Sequence, residues 1–173
     1  MAAGWIVDPP LAGDRRAAAV RAACFGIAGA AADLDLLAGA HSGPTHGLGA
    51  AVFVGVIVWV SMTLAAGDRG SRAGRFALAV GLAYASHTLL DWLGSDTSPP
   101  IGIMALWPLS REHYESRLHL FLAISRRYWL AEVWIGNLIA LARELVILLP
   151  IVTAVILVRR GVNVQRRNSQ LPK

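Results

Sequence analysis

The chain has 173 residues, 55% of them hydrophobic and only 16% charged, with a mean hydropathy of +0.53, against ~25% charged in ordinary soluble domains. That balance excludes a disordered protein and argues for a membrane-embedded one. The net charge of +5 comes from 15 arginines and Lys173 against 11 acids. Because the arginines cluster at the edges of apolar runs (Arg15-Arg16, Arg69-Arg72-Arg75, Arg159-Arg160, Arg166-Arg167), the charge speaks of membrane topology and not of nucleic acid.

The N-terminus, Met-Ala-Ala-Gly-Trp-Ile-Val-Asp-Pro-Pro, lacks the basic region and Ala-x-Ala site of a cleaved signal peptide, and no lipidation motif is visible. Four apolar stretches follow. The first, Ala17 to Leu37, is Ala/Gly-rich, contains Arg21 and the lone cysteine Cys24, and ends in Asp33-Leu-Asp35. The second, Leu48 to Ala66, is uncharged, and the third, Phe76 to Leu93, carries His87 and Asp91 near its end. The fourth runs from Trp129 to Val158, ~45 Å of helix and longer than a ~30 Å hydrocarbon core needs. Ile139 to Val158 therefore suffices to span, with Tyr128, Trp129 and Trp134 as interfacial anchors and a kink expected at Pro150.

The expectation is an all-α integral membrane helical bundle of about four transmembrane helices in a bacterial-type inner membrane. Residues 1–160 form one domain and residues 161–173 a basic, disordered tail held near the anionic inner leaflet. The arginine-rich connection from Gly67 to Arg75 and the tail place both termini in the cytoplasm, leaving residues 38–47 and 94–128 outside. The lipid bilayer is the expected partner, and the residues carry no signal of oligomeric state.

Ionisable side chains inside spans are costly, so Asp33, Asp35, His87, Asp91 and Glu144 are functional candidates. Counted from the inner arginines, Asp33 lies ~26 Å up, His87 ~18 Å, Asp91 ~24 Å and Glu144 ~22 Å. They share one layer near the outer face, with His41 and His46 in the connection above it. His87-Thr-Leu-Leu-Asp91 is an i, i+4 pair whose side chains leave one helical face, which suits metal ligation and equally suits a plain His–Asp hydrogen bond. Neighbouring carboxylates repel unless a cation lies between them. A mixed His/Asp/Glu shell fits one or two divalent ions, zinc first and manganese as an option. Glu144 reads either as a working carboxylate or as a partner of Arg21, while Glu132, His113 and His119 fall in an outer stretch that also reads as solvated and amphipathic.

The ordered motifs Asp33-Leu-Asp35, His41-Ser-Gly-Pro-Thr-His46, His87-Thr-Leu-Leu-Asp91 and Leu106-Trp-Pro-Leu-Ser110 resemble those of the YdjM-like family of predicted membrane-bound metal-dependent hydrolases, over roughly residues 30 to 150. That family is similar in having D-x-D, H-R-G-x-T-H-S, H-x-x-x-D and W-P-[FL]-S segments, and it has been linked to the zinc-dependent phospholipase C fold. The resemblance implies that Asp33, Asp35, His41, His46, His87 and Asp91 are metal-site residues. Ser42 stands where the family usually has arginine and Gly47 where serine is common, so an anion-binding role would pass to Arg143 or Arg111.

The function expected from these residues is metal-dependent hydrolysis of a phosphoester in a lipid or lipid-linked substrate, with Glu144 or Asp35 taking the proton from a metal-activated water. The alternative is a membrane protein that binds metal without turnover, as a structural or regulatory element. A transporter ranks last, because below His87 the third span is apolar down to Arg75 and the second offers only Ser61 and Thr63.

Overall fold

The computed structural model describes residues 2–8, 15–38, 42–66, 71–97, 99–125, 127 and 129–169. Five α-helices make up most of the chain: α1 (Ala2–Val7), α2 (Arg15–Ala30), α3 (Leu48–Ala66), α4 (Ser71–Leu93) and α5 (Val133–Ser169). A 3-10 helix, Ala31–Ala38, continues α2, and a single 3-10 turn, Pro44–His46, precedes α3. Four segments are long and apolar enough to cross a membrane: Arg15–Leu37, Leu48–Ala65, Ser71–Leu93 and Val133–Val158. The chain divides into two compact units, Met1–Ala123 and Ile124–Lys173.

In the first unit α4 is the central helix, packed against α1, α2 and α3. Its buried face is mostly alanine: Ala73, Ala77, Ala79 and Ala83 are all buried, with Val80 and Tyr84. Lipid tails are as apolar as leucine, so helices in a bilayer associate through close backbone approach, which small residues permit. Gly81 illustrates this, since a Cβ there would lie 3.7 Å from the Cα of Gly55 on α3. The larger side chains close the inside of the unit, where Phe25 and Phe76 meet with ring centroids 5.8 Å apart beside Trp5, Val54 and Val58. The outward side of α3 presents Val52, Phe53 and Leu64 at 64–80% exposure, a surface matched to hydrocarbon and costly in water.

The N-terminal segment carries an element that its sequence did not announce. Residues of α1 lean into the helix pack, where a Cβ on Gly4 would lie only 2.8 Å from Phe25 Cγ and 2.9 Å from the Ala79 carbonyl. Asp8, at its end, is buried and forms an ion pair with Arg21 of α2, whose guanidinium also lies 5.8 Å from the Phe76 ring centroid. Asp8 thus supplies the partner for Arg21 that Glu144 was considered for.

Beyond α4, residues 94–123 fold back onto the helix end. The last carbonyls of a helix lack intrahelical partners. Here they are met in turn, Asp91 O by Gly94 N at 3.1 Å, Trp92 O by Ser116 N at 2.8 Å and Leu93 O by Leu120 N at 2.8 Å. Gly102 adopts φ +88°, and a Cβ there would lie 2.6 Å from the Tyr114 carbonyl, so glycine is what lets the two sides of this cap close.

In the second unit Asn137 joins the start of α5 to the preceding chain, accepting from Ser125 N at 2.8 Å and donating to Ser125 O at 2.9 Å. The helix begins at Val133 and not at Trp129, because residues 127–134 first make i+3 turns, Leu130 N to Arg127 O and Trp134 N to Ala131 O. It passes through Pro150 and continues beyond Arg159-Arg160 to Ser169, where the sequence suggested a disordered tail from residue 161. Only Gly161, at about 1 kcal/mol relative to alanine, weakens helical backbone before Pro172.

Candidate metal centre

Three pieces of chain bring the polar residues together. Where α2 tightens into the 3-10 helix, residues two apart diverge by about 120° at three residues per turn. Asp33 and Asp35 therefore address different edges of the same imidazole. His87 and Asp91 come from one face of α4, as their spacing required. His46 comes from the 3-10 turn and is fully buried.

That turn is held by the segment containing Trp107-Pro108. Leu48 N donates to Ala105 O at 2.9 Å and Gly49 N to Trp107 O at 2.8 Å, so two orphan donors at the start of α3 are satisfied there, and Met104 N donates to Ser42 O at 3.0 Å. Contact is close enough to exclude side chains: a Cβ on Gly49 would lie 2.4 Å from Pro108 Cδ, and one on Gly47 would lie 2.9 Å from both the Met104 carbonyl and Trp107 Cβ. The Leu106-Trp-Pro-Leu-Ser110 motif therefore braces the histidine turn, and Gly47 fits where serine is common in similar sequences.

The donor atoms converge from both helices and the turn. His46 Nε2 lies 3.3 Å from Asp91 Oδ2 and 3.7 Å from Asp33 Oδ1, and His87 Nε2 lies 3.1 Å and 3.4 Å from the same two oxygens. The ligand atoms of Asp33, His46 and His87 all fall within 4.8 Å of one another. His87 Nε2 and Asp91 Oδ2 are buried and 3.1 Å apart, a spacing that suits a His–Asp hydrogen bond and equally two donors to one ion.

His46 strengthens the case through its other nitrogen. Thr45 Oγ1 donates to Asp35 Oδ2 at 2.6 Å, so its proton is spent there. His46 Nδ1 faces that same Asp35 oxygen at 3.3 Å and the Thr45 oxygen at 3.2 Å, both acting as acceptors. In a neutral ring a hydrogen on Nδ1 makes Nε2 the acceptor nitrogen, directed toward Asp33 and Asp91. A lone pair and two carboxylate oxygens facing one another repel unless a cation lies among them. Tetrahedral zinc, with bonds of ~2.0–2.1 Å, needs donor-to-donor edges of ~3.3–3.4 Å. Four of the six edges, the His-to-Asp ones, are 3.1 to 3.7 Å, a range that includes that value.

The remaining candidates fall elsewhere. His41 lies outside the described residues. Arg143 and Glu144 are on α5, in the second unit. Arg111 is exposed in the cap, as is Glu132 before α5, and His119 sits 3.8 Å from Glu115. Sequence reasoning passed over Thr45 and Tyr84. Thr45 stood inside a motif chosen for its histidines, and Tyr84, one turn before His87, read as part of an apolar helix; its hydroxyl donates to Thr45 O at 2.6 Å.

Four segments long and apolar enough to cross a membrane, with a His/Asp cluster at the end of α4, define an integral membrane protein. The chain belongs to the YdjM inner membrane protein family, whose model it matches over residues 2–166. No curated protein and no solved structure matches it.

Proposed function

We propose that this inner membrane protein is a metal-dependent hydrolase that cleaves a phosphoester of a lipid or lipid-linked substrate. The observation that carries the reading is the convergence of Asp33, His46 and His87, whose ligand atoms lie within 4.8 Å of one another, with Asp91 Oδ2 3.1–3.3 Å from both imidazoles. These four side chains would hold one ion, zinc by spacing, with manganese as the second choice; His41 is the residue to add for a second ion. A divalent ion so held acidifies a bound water and neutralises developing phosphate charge.

The chain's own residues supply the rest. Asp33 is the most open of the donors, its side chain 43% exposed where His46 is 0%, so substrate approaches from its side. Glu144 or Asp35 would accept the water's proton at a carboxylate oxygen. Arg111 and Arg143 are the candidates to hold the phosphate, in place of the arginine that Ser42 replaces. A groove of about 540 Å³ between α3 and α4, lined almost wholly by apolar atoms, supports a lipid substrate. It ends at Leu48 and Ala85, each two residues from a donor histidine. The arginine distribution supports a site toward the outer face and both termini in the cytoplasm.

The test is hydrolysis of a panel of phospholipids and lipid phosphates by the detergent-purified protein. Asp91→Ala is expected to abolish turnover, by 10³-fold or more, and unchanged activity in that variant overturns the mechanism. A second reading follows from Asp91 lying beside the Asp33, His46 and His87 trio: were all four to bind, the tetrahedral shell would be closed, as in structural zinc sites. Stoichiometric zinc with no turnover on the panel selects that non-catalytic clamp.

A further inference from the structure

We propose that Asp35 is a positioning residue for His46 and not a donor to the ion, and that Thr45 and Tyr84 complete a buried relay that fixes this imidazole. The inference rests on the metal-centre reading for its purpose, but its geometry stands separately. Asp33 and Asp35 are two residues apart and were equivalent by sequence. The structure separates them, with Asp33 Oδ1 on the Nε2 side of His46 and Asp35 Oδ2 on the Nδ1 side.

The relay runs from α4 to the ring. The Tyr84 hydroxyl, on a side chain only 3% exposed, donates to the Thr45 carbonyl at 2.6 Å and fixes the turn's backbone. Thr45 Oγ1 then donates to Asp35 Oδ2 at 2.6 Å, which fixes the carboxylate. His46 Nδ1 lies 3.2 Å from Thr45 Oγ1, within hydrogen-bond reach, and 3.3 Å from the Asp35 Oδ2 that this hydroxyl holds. Metal-ligating histidines usually donate their other N–H to a carboxylate or carbonyl, which sets tautomer and ring orientation, and loss of that partner typically costs ~10–100-fold in metal affinity. A fully buried imidazole has no water to take the carboxylate's place, so Asp35 is where His46 gains its lone pair at Nε2.

Two measurements on the full chain in detergent test this. First, histidine ¹⁵N spectroscopy of metal-free protein reads the His46 tautomer, assigned among the five histidines by the signal lost in His46→Gln. The expected state is Nδ1–H in wild type, with the Nε2–H form gaining in Asp35→Ala and, more mildly, in Thr45→Val, which keeps the side chain's shape. An Nε2–H ring in wild type overturns the relay. Second, cobalt(II) titration gives affinity and ligand-field spectrum together. Asp35→Ala should bind ~10–100-fold more weakly yet reach the wild-type spectrum at saturation, with Asp35→Asn recovering part of the loss because its amide oxygen still accepts. Asp33→Ala should change the spectrum, because a donor is gone. A spectrum altered in Asp35→Ala as in Asp33→Ala makes Asp35 a ligand and overturns the proposal, as does wild-type affinity in both Asp35→Ala and Thr45→Val. Wild-type protein that binds no cobalt overturns the metal reading instead, and the tautomer still decides the relay.

Discussion

Each of the four converging side chains is expensive to bury unless something compensates it. His87 exemplifies this, since its side chain is 15% exposed and its Nε2 faces two carboxylates at 3.1 and 3.4 Å. His87→Ala removes a donor from the middle of that set, so elemental analysis should find bound divalent metal falling from about one equivalent per chain to near none. His119→Ala, in the exposed part of the cap, should leave the metal content unchanged. What was legible here follows from local geometry. The i, i+4 spacing of His87 and Asp91 fixes their common face whatever surrounds them, so the pair could be read from sequence. The different duties of Asp33 and Asp35 could not be read, because they depend on α2 tightening into a 3-10 helix at Ala31. Nothing in Ala-Ala-Asp-Leu-Asp distinguishes that from continued α-helix. Thr45 and Tyr84 escaped for a related reason: their hydrogen bonds join residues 10 and 39 positions apart.

Among elements, the spans were legible because apolar runs of about 20 residues have few other uses, whereas α1, at six residues, falls below any such signal. The cap beyond α4 was equally hidden, since it is built from single backbone bonds to helix-end carbonyls. Its bracing of the His46 turn makes a specific demand on α3. Gly49→Ala would place a methyl 2.4 Å from Pro108 Cδ and 2.5 Å from the Trp107 carbonyl. The neighbour is a rigid ring and backbone, so the cap must shift, at about 1–3 kcal/mol as for other overpacked sites. Gly74→Ala in α4 is the matched control, for a Cβ there meets nothing within 4 Å, and it should be neutral or stabilising by up to ~1 kcal/mol through helix propensity. Thermal melts in detergent should therefore move in opposite directions or only for Gly49→Ala. Metal affinity should fall in Gly49→Ala alone, because the Trp107 segment also carries the His46 turn.

At the scale of the whole molecule, the site and the first residue of α4 lie at opposite ends of that helix. Ser71 and Asp91 are 20 residues apart on one helix, ~30 Å at 1.5 Å per residue, which equals the thickness of the hydrocarbon core. Orientation then reduces to which end faces the cytoplasm. Arg69, Arg72 and Arg75 flank the α3–α4 connection, and four more arginines follow Val158. The cap beyond α4 carries Arg111 and Arg117, accompanied by Asp96, Glu112 and Glu115. Acidic residues contribute little to topology, so the decision rests on the connection, whose arginines lie within a few residues of two spans. The sole cysteine, Cys24, allows a clean test once replaced by alanine. Leu109→Cys, at a side chain 92% exposed in the cap, should react with a membrane-impermeant maleimide in intact spheroplasts. Ser71→Cys, exposed at the start of α4, should react only after lysis. The reverse pattern would turn the site toward the cytoplasm, and with it the pool of lipid phosphates from which a substrate could come.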